Sequence, residues 1–410
     1  YQVNLYYRQL EGIKDGYNVV QATATKFTLR DILMINMLFD LGTIVEVFGD
    51  RKENEGRPAN LGSCSAIVKL LPDYEDLLMA HNTWTSYNTM LRVMKKYDIS
   101  VHLIENSNTV VPGRIMAFSS YPGTVFSGDD FTVVSSGLVT METTNGVYNT
   151  KLWPLVSENS VMESIRSLVA NRLARNGHEW VSTFRMKNSG TYNNQWMVVD
   201  YNKFTPGSLK PQKGLLTIAE QLPGEIMSMD LTNVLNLKGY WASYNVPYFS
   251  HVYNVSGYYD KFLQYGDWFS HDNCPRAKIF KREQAKVKDL TSLMDLMRYN
   301  NYKNDPYSAC TGCRPLQNAC NAIAARCDLN PQNGTYLIEN LAHRLHGATD
   351  AKVINSTMIK TFSIYAVSGP TLGNGLPVFE WSELTEQDYV PHYGLPNKWK
   401  FKPLIHQWEL

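Results

Sequence analysis

Long hydrophobic runs are missing from this 410-residue chain. The most apolar early stretch, Ile32-Leu33-Met34-Ile35-Asn36-Met37-Leu38-Phe39-Asp40-Leu41-Gly42-Thr43-Ile44-Val45, is interrupted by Asn36, Asp40 and Gly42, so it reads as a core helix and not as a transmembrane segment. An excess of one charge is missing too: 39 basic and 38 acidic residues leave a formal net charge of +1, with no long run of either sign. Such a chain sets up no field that would draw in nucleic acid or an anionic membrane, so a neutral or locally recognised substrate is expected. Internal repeats, low-complexity segments and a G-x-S-x-G nucleophile elbow are also absent, and the last absence removes support for a serine-hydrolase route. His343 and His346 lie near Gly347 and Asp350 but in no H-E-x-x-H pattern, so neither a catalytic metal nor a cofactor is expected. The chain starts at Tyr1 with no initiator Met and no signal-peptide pattern, and is expected to be the remainder of a processed precursor.

What is present suits a globular protein: 44% hydrophobic and 19% charged residues over this length can bury a large core. Five of the six cysteines fall between Cys274 and Cys327. Cys310, Cys313, Cys320 and Cys327 sit in a segment rich in Asn, Pro and Gly, the setting of structural disulfides in an oxidising compartment. A zinc site and a CxxC redox motif are the alternatives, but no second C-x-x-C follows and no compact βαβ pattern surrounds the first. Three sequons, at Asn254, Asn333 and Asn355, also point to the secretory route if each lies on an exposed loop.

Residues 1 to about 63 read as helical, from Leu5, Leu10, Ile13 and Tyr17 and from a second start near Thr28-Leu29-Arg30-Asp31. Arg51 to Asn60 is charged, broken by Gly and Pro, and expected to be an exposed loop. Ser65 to Leu71 and Leu77 to His81 then read as a β-hairpin across Pro72-Asp73-Tyr74-Glu75-Asp76. With Leu71 opposite Leu77, Cys64 falls opposite Trp84 and Ile67 opposite His81. From Trp84 the spacing of Tyr87, Met90, Leu91 and Met94 suggests a helix. Strand-like runs recur at Ile115–Phe118, Phe131–Val134, Leu138–Met141, Trp196–Val199 and Leu215–Ala219, with helical candidates at Val161–Asn176 and Lys288–Tyr299. Strands and helices in blocks favour α+β over a doubly wound sheet.

Cys64, isolated in Asn60-Leu61-Gly62-Ser63-Cys64-Ser65, could be a small buried hydrophobe. Its position suggests more, because a cut between Ser63 and Cys64 would leave a cysteine as the first residue of a strand. An α-amino group, with a pKa of roughly 7.7 to 8.0, can take the proton of the thiol beside it, so nucleophile and base arrive together. The thiol could make the cut itself by attacking the Ser63 carbonyl, with Gly62 easing the bend.

Several longer segments point the same way. Cys64 to Pro72 with Ala80-His81-Asn82-Thr83-Trp84, then Asn188-Ser189-Gly190-Thr191-Tyr192-Asn193-Asn194-Gln195-Trp196, Tyr240 to Pro247, Pro275 to Phe280, Met297-Arg298-Tyr299-Asn300 and Ser368-Gly369-Pro370-Thr371 resemble the phospholipase B-like family along nearly the whole chain. That resemblance implies a four-layer αββα sandwich of the N-terminal-nucleophile hydrolase type, made as a glycosylated lysosomal precursor, possessing sequence upstream of Tyr1, and cut before Cys64. Residues 1–63 would be the end of an upstream fragment held non-covalently on a catalytic domain of residues 64–410.

The resemblance also suggests a site. Asn188 is the leading oxyanion-donor candidate, with Asn193 and Asn194 as alternatives, although all three also suit ordinary turns. Arg276 is expected beside the nucleophile, where a cation would favour thiolate, or else as a surface side chain over an apolar strand. His81 and Trp84 stand where the bile-salt-hydrolase relatives carry Arg and Asp; His81 could orient the thiol or amine, and Trp84 could wall an acyl pocket or simply fill the core. The implied activity is hydrolysis of a phospholipid ester or related acyl ester or amide through a Cys64 thioester, the substrate being an acyl lipid or an N-acyl amide. The alternatives are an amidase for linear C–N bonds, a self-cleaving but non-catalytic lumenal lipid-binding glycoprotein, or a secreted binding module with a structural Cys64 thiol.

Overall fold

The computed structural model describes residues 1–20, 25–49, 63–208 and 210–408. Three helices come first: α1 (Gln2–Val20), α2 (Leu29–Asn36) and α3 (Leu38–Phe48). Thr28 starts α2 with a reciprocal capping box to Asp31, which satisfies two end groups at once. The buried stripe of α1 is Gln2, Tyr6 and Leu10, shifted from the expected one; Tyr17 instead stacks on Phe27 at 4.4 Å. The expected loop from Arg51 to Asn60 lies outside the described residues.

Strands β1 (Ser63–Leu70) and β2 (Leu77–Ser86) form the expected hairpin, but one residue out of the predicted register. Leu70, not Leu71, lies opposite Leu77, so Cys64 faces Thr83 and Ala66 faces His81. Because side chains alternate along a strand, this slip decides faces: Cys64 and His81 share one face of the sheet, and Trp84 turns to the other. The helix expected from Trp84 is absent. β2 continues to Ser86, a short 3-10 turn covers Tyr87–Thr89, and β3 (Val93–Asp98) follows. The local spacing lost to pairing: β1 covers one side of Trp84, and a later strand, His346–Ala348, covers Trp84 to Ser86 on the other.

β3 opens a seven-stranded antiparallel sheet in simple sequence order, with β4 (Ile115–Ser120), β5 (Phe131–Val134), β6 (Leu138–Thr144), β7 (Asn194–Asp200), β8 (Leu216–Leu222) and β9 (Glu225–Asp230). The chain then returns to the first sheet. There β10 (Tyr240–Ser243) pairs with β1, β11 (His346–Ala348) and β12 (Asp350–Ile354) pair with β2, and β13 (Ile364–Ser368) joins β12 to the edge strand Leu404–His406. β1 and β2 are therefore central.

The packing gives four layers. Ala66, Val68, Leu77 and Met79 of the first sheet pack on Ala117, Phe131, Val139, Met141 and Met197 of the second. The opposite face of the first sheet, including Ile67, Leu78, Ala80 and Val353, packs on α6 (Pro275–Glu283) and α7 (Leu290–Met297). The outer face of the second sheet, including Phe118, Trp196 and Val198, packs on α1, α2, α4 (Glu163–Leu173) and α5 (Gly177–Arg185). The order is helix, sheet, sheet, helix, the expected αββα sandwich. Being covered on both faces, the central strands are buried along their whole length, without the in-out alternation of a half-exposed sheet.

The expected cysteine cluster forms two disulfides, Cys310–Cys313 and Cys320–Cys327, which leaves no ligand set for the zinc alternative there. Asn333 lies in an exposed turn, Asn355 is half-buried, and Asn254 is exposed on the helix Ser250–Val255 where a loop was expected. Among the described residues no helix is long and apolar enough to cross a membrane.

The inter-sheet layer should dominate stability. Met79→Ala, which empties a fully buried position between the sheets, is expected to cost about 2–5 kcal/mol in urea unfolding, whereas Leu237→Ala at an exposed position should stay within about 0.5 kcal/mol.

Candidate functional site

β1 carries Cys64 to the end of the first sheet, where its backbone is held on both sides. The Cys64 amide N–H donates to Asn245 Oδ1 at 3.1 Å, and its carbonyl accepts from Arg276 Nη1 at 2.6 Å. Asn245 has a left-handed backbone, φ 66°, which Asn tolerates better than most residues. Its side-chain Nδ2 donates to Thr144 O at 2.6 Å and its carbonyl accepts from the Tyr258 hydroxyl at 2.6 Å, so the acceptor facing Cys64 cannot swing away cheaply. Thr143 and Ser243 join their hydroxyls at 2.6 Å, tying β6 to β10 beside it.

Arg276 comes from the first turn of α6, after Pro275 at the position where a missing N–H costs nothing. Its Nη2 donates to Tyr244 O at 2.7 Å, and its guanidinium lies 4.3 Å from the Trp84 ring centre. Burial, partly opposed by Cys274, lowers its pKa to about 10, so it stays cationic at physiological pH.

Beneath this clasp, Cys64, His81 and Glu142 converge, one ligating atom from each lying within 4.8 Å of the other two. All three are buried. His81 Nε2 lies 2.9 Å from the Glu142 carbonyl oxygen and so carries the proton of that bond, which leaves Nδ1 without a proton; Nδ1 is buried with no hydrogen-bond partner among the described residues. Burial, helped by Lys352, pushes the His81 pKa well below its ordinary value, so the ring is neutral. Burial above all pushes the Cys64 thiol well above its ordinary value, so in the uncut chain it holds its proton. Nearby, Lys352 binds Asp350 at 2.7 Å, and Arg92 binds Asp129 at 2.9 Å.

A cavity of about 250 Å³ opens beside the clasp. Trp84, Asn245 and Arg276 form its wall toward Cys64, with Asn145, Asn193, Tyr148, Lys261, Trp268 and Cys274 around it and Thr43 and Glu46 contributed by α3. Cys64, 2% exposed, lies behind this wall and not in it. The structure thus brings together Cys64, His81, Trp84, Arg276 and Asn193. It does not bring Asn188, whose Nδ2 donates to Leu222 O at 2.8 Å in a turn away from the cavity. Asn194 is buried at the start of β7 and lines no part of the cavity. Asn193 lines it, but its Nδ2 is committed to Gly190 O at 2.8 Å. Trp84 donates Nε1 to Asn82 Oδ1 at 3.0 Å and presents its ring to the cavity.

Three residues escaped the sequence reading. Asn245 lay within a noted segment, Tyr240 to Pro247, yet carried no signal of its own. Glu142 could have been suspected, because an acid in a strand buried along its whole length needs a reason to be there. Asn145, just after β6, is in the cavity wall with both side-chain polar atoms buried and without a partner among the described residues; only the structure separates it from ordinary turn asparagines.

The family model described as Phospholipase B matches residues 1–406. The chain belongs to the phospholipase B family. Among curated members, "Putative phospholipase B-like 2" of Homo sapiens is 46% identical over 100% of this chain and 70% of its own length. "Putative phospholipase B-like 1" of Caenorhabditis elegans is 42% identical over 99% of this chain and 71% of its own, and "Phospholipase B-like protein B" of Dictyostelium discoideum 38% over 97% and 68%. Among solved structures, a mutant conjugated bile acid hydrolase from Clostridium perfringens aligns over 83% of this phospholipase B-family chain and 99% of its own with a TM-score of 0.40 and 12% identity.

The acids around the site set a pH test. Burial, and then repulsion from Asp129 and Asp40, raises the Asp130 carboxyl to about 7 against the pull of Tyr192. The unfolded carboxyl titrates near about 4, so between these values the folded chain holds a proton that the unfolded chain lacks. Stability from this group is therefore full below about pH 4 and is lost as pH rises through 7. Asp130→Asn, which keeps the uncharged shape, should gain stability relative to the wild type as pH rises from 5 to 8 in paired thermal melts; a constant difference would contradict it.

Proposed function

We propose that this chain is an acyl hydrolase whose nucleophile is Cys64, exposed by cleavage of the Ser63–Cys64 bond. The observation that carries the reading is the two-sided clasp: the nitrogen that would become the α-amine is held by Asn245, and the adjoining carbonyl by Arg276, both in the cavity wall. In the cut, Cys64 Sγ attacks the Ser63 carbonyl carbon, the C–N bond breaks, and the thiol proton passes to the departing nitrogen. Water then hydrolyses the thioester, leaving a carboxylate on Ser63 and a free thiol and amine on Cys64.

In turnover the α-amine takes the thiol proton, Sγ attacks the acyl carbonyl, and the amine returns the proton to the leaving oxygen or nitrogen. Water clears the acyl thioester. Asn145 is the oxyanion donor in this scheme, because its side-chain amide is in the wall and bonded to none of the described residues, whereas those of Asn188 and Asn193 already donate to carbonyls. His81, neutral and packed against the thiol, orients it.

Residues 1–63 are then the retained upstream fragment. Asp40 of α3 accepts from the Glu163 amide at 2.9 Å and the Ser164 hydroxyl at 3.0 Å, and Asn36 accepts from the Val125 amide at 2.8 Å; such buried bonds favour retention after the cut. A lysosomal lumen fits exposed sequons at Asn254 and Asn333, two disulfides, and buried carboxyls that prefer acid. The cavity volume, about 250 Å³, is below the range of roughly 300–1,000 Å³ that holds drug-sized ligands, and so favours a small acyl amide or a single acyl group over a whole diacyl lipid.

Intact-mass measurement after acidic incubation tests the reading: the wild type should divide at Ser63–Cys64 and Cys64→Ala should remain whole. On panels of phospholipids and N-acyl amides the matured protein should form an acyl adduct on Cys64, and turnover equal to that of Cys64→Ala would sink the proposal. Asn145→Ala should lower kcat by about 10²–10³ with little change in KM.

A further inference from the structure

The convergence of Cys64, His81 and Glu142 has a second chemical meaning. We propose that these three side chains form a binding site for a Zn²⁺ ion, and that the bound ion silences the Cys64 thiol. The sequence offers no metal motif here, because the ligands come from β1, β2 and β6 and meet only when the two sheets stack.

Three observations carry the site. One ligating atom from each residue lies within 4.8 Å of the other two; ligands held at about 2.0–2.3 Å from a tetrahedral zinc stand roughly 3.3–3.8 Å apart, so a modest inward movement closes the site. Two of the ligating atoms, His81 Nδ1 and Glu142 Oε2, are buried with no hydrogen-bond partner among the described residues. Both are also already oriented from behind. His81 donates Nε2–H to the Glu142 carbonyl at 2.9 Å, and Glu142 Oε1 accepts from the Tyr192 hydroxyl at 3.1 Å. Hydrogen bonds of this kind behind the ligands fix tautomer and carboxylate orientation in metal sites.

The donor set selects the ion. A thiolate, an imidazole and one carboxylate suit zinc, whereas magnesium and calcium demand oxygen ligands. Three protein ligands leave the fourth position for water. On binding, the Sγ–H bond is exchanged for Sγ–Zn and the Glu142 carboxyl O–H for O–Zn, both protons leave to solvent, and the resulting thiolate and carboxylate balance the ion's two charges. The nearby Lys352 is already paired with Asp350 at 2.7 Å and lies 3.7 Å from Asp129, which limits its opposition.

A thiolate bound to zinc cannot attack the Ser63 carbonyl or an acyl group. This consequence rests on the proposed role of Cys64; the binding itself does not.

The test uses the full chain stripped with EDTA, desalted, and given one equivalent of Zn²⁺ or of Co²⁺ as a spectroscopic substitute. Native mass spectrometry should find one ion per chain, and cobalt should produce a thiolate-to-metal charge-transfer absorption. Both should vanish in Cys64→Ser. Tyr192→Phe, which retains all three ligands and frees Glu142 from its bond, should weaken binding about 10–100-fold and provides a second arm if the serine variant misfolds. Zinc should slow self-cleavage at least tenfold and EDTA should restore it. Absence of the charge-transfer band in the wild type, or equal stoichiometry in Cys64→Ser, overturns the site. Zinc bound through Cys64 with cleavage unslowed supports the site and overturns the silencing.

Discussion

The antiparallel pairing of β1 with β2 at the centre of the first sheet is the constraint on which the site depends. Ala66 opposite His81 puts Cys64 opposite Thr83 and sends the Cys64 and His81 side chains to the same, inter-sheet face. One residue of slip would separate them by the thickness of the sheet. The register is held from both sides, since β10 pairs with β1 and both β11 and β12 pair with β2, and since Ala66, Val68 and Met79 must face the second sheet. A hairpin alone would not be so firmly set.

Around that pairing the protein buries a costly set of polar groups. Lys352, Asp350, Asp129 and Arg92 satisfy one another, while Asp130 and Glu142 are pushed toward their protonated forms by burial. Replacing such a set with apolar residues would often be neutral or better for stability, so a functional reason for keeping it is the more economical account. The carboxyls, the neutral His81 ring and the protonated Cys64 thiol are all buried, where low dielectric strengthens their influence on one another.

Much of the architecture was legible. The strand runs at Phe131–Val134 and Leu138–Met141, the capped start at Thr28 and the helix near Val161–Asn176 fall where the pattern placed them, because each rests on local chemistry. Trp84 to Met94 departs from its helical spacing because apolar residues three and four apart only imitate a helix there, and nothing in that segment announces that His346–Ala348 will pair with it more than 250 positions later. The site divided in the same way. Cys64 and Arg276 stood out through their neighbours, whereas Asn188 and Asn145 are both asparagines in turn-like sequence; the closed hydrogen bond of one and the bare amide of the other exist only in the folded chain.

The sequence by itself determined the class of elements, the lone cysteine at the head of a strand, and the chemistry available to it, since periodicity, capping and thiol reactivity are local properties. The tertiary structure decided the register of β1 on β2, the clasp of Asn245 and Arg276 on the Cys64 backbone, and the meeting of Cys64 with His81 and Glu142. These contacts join residues up to more than 200 positions apart, and which of them form is settled by how two sheets and their helices exclude water together.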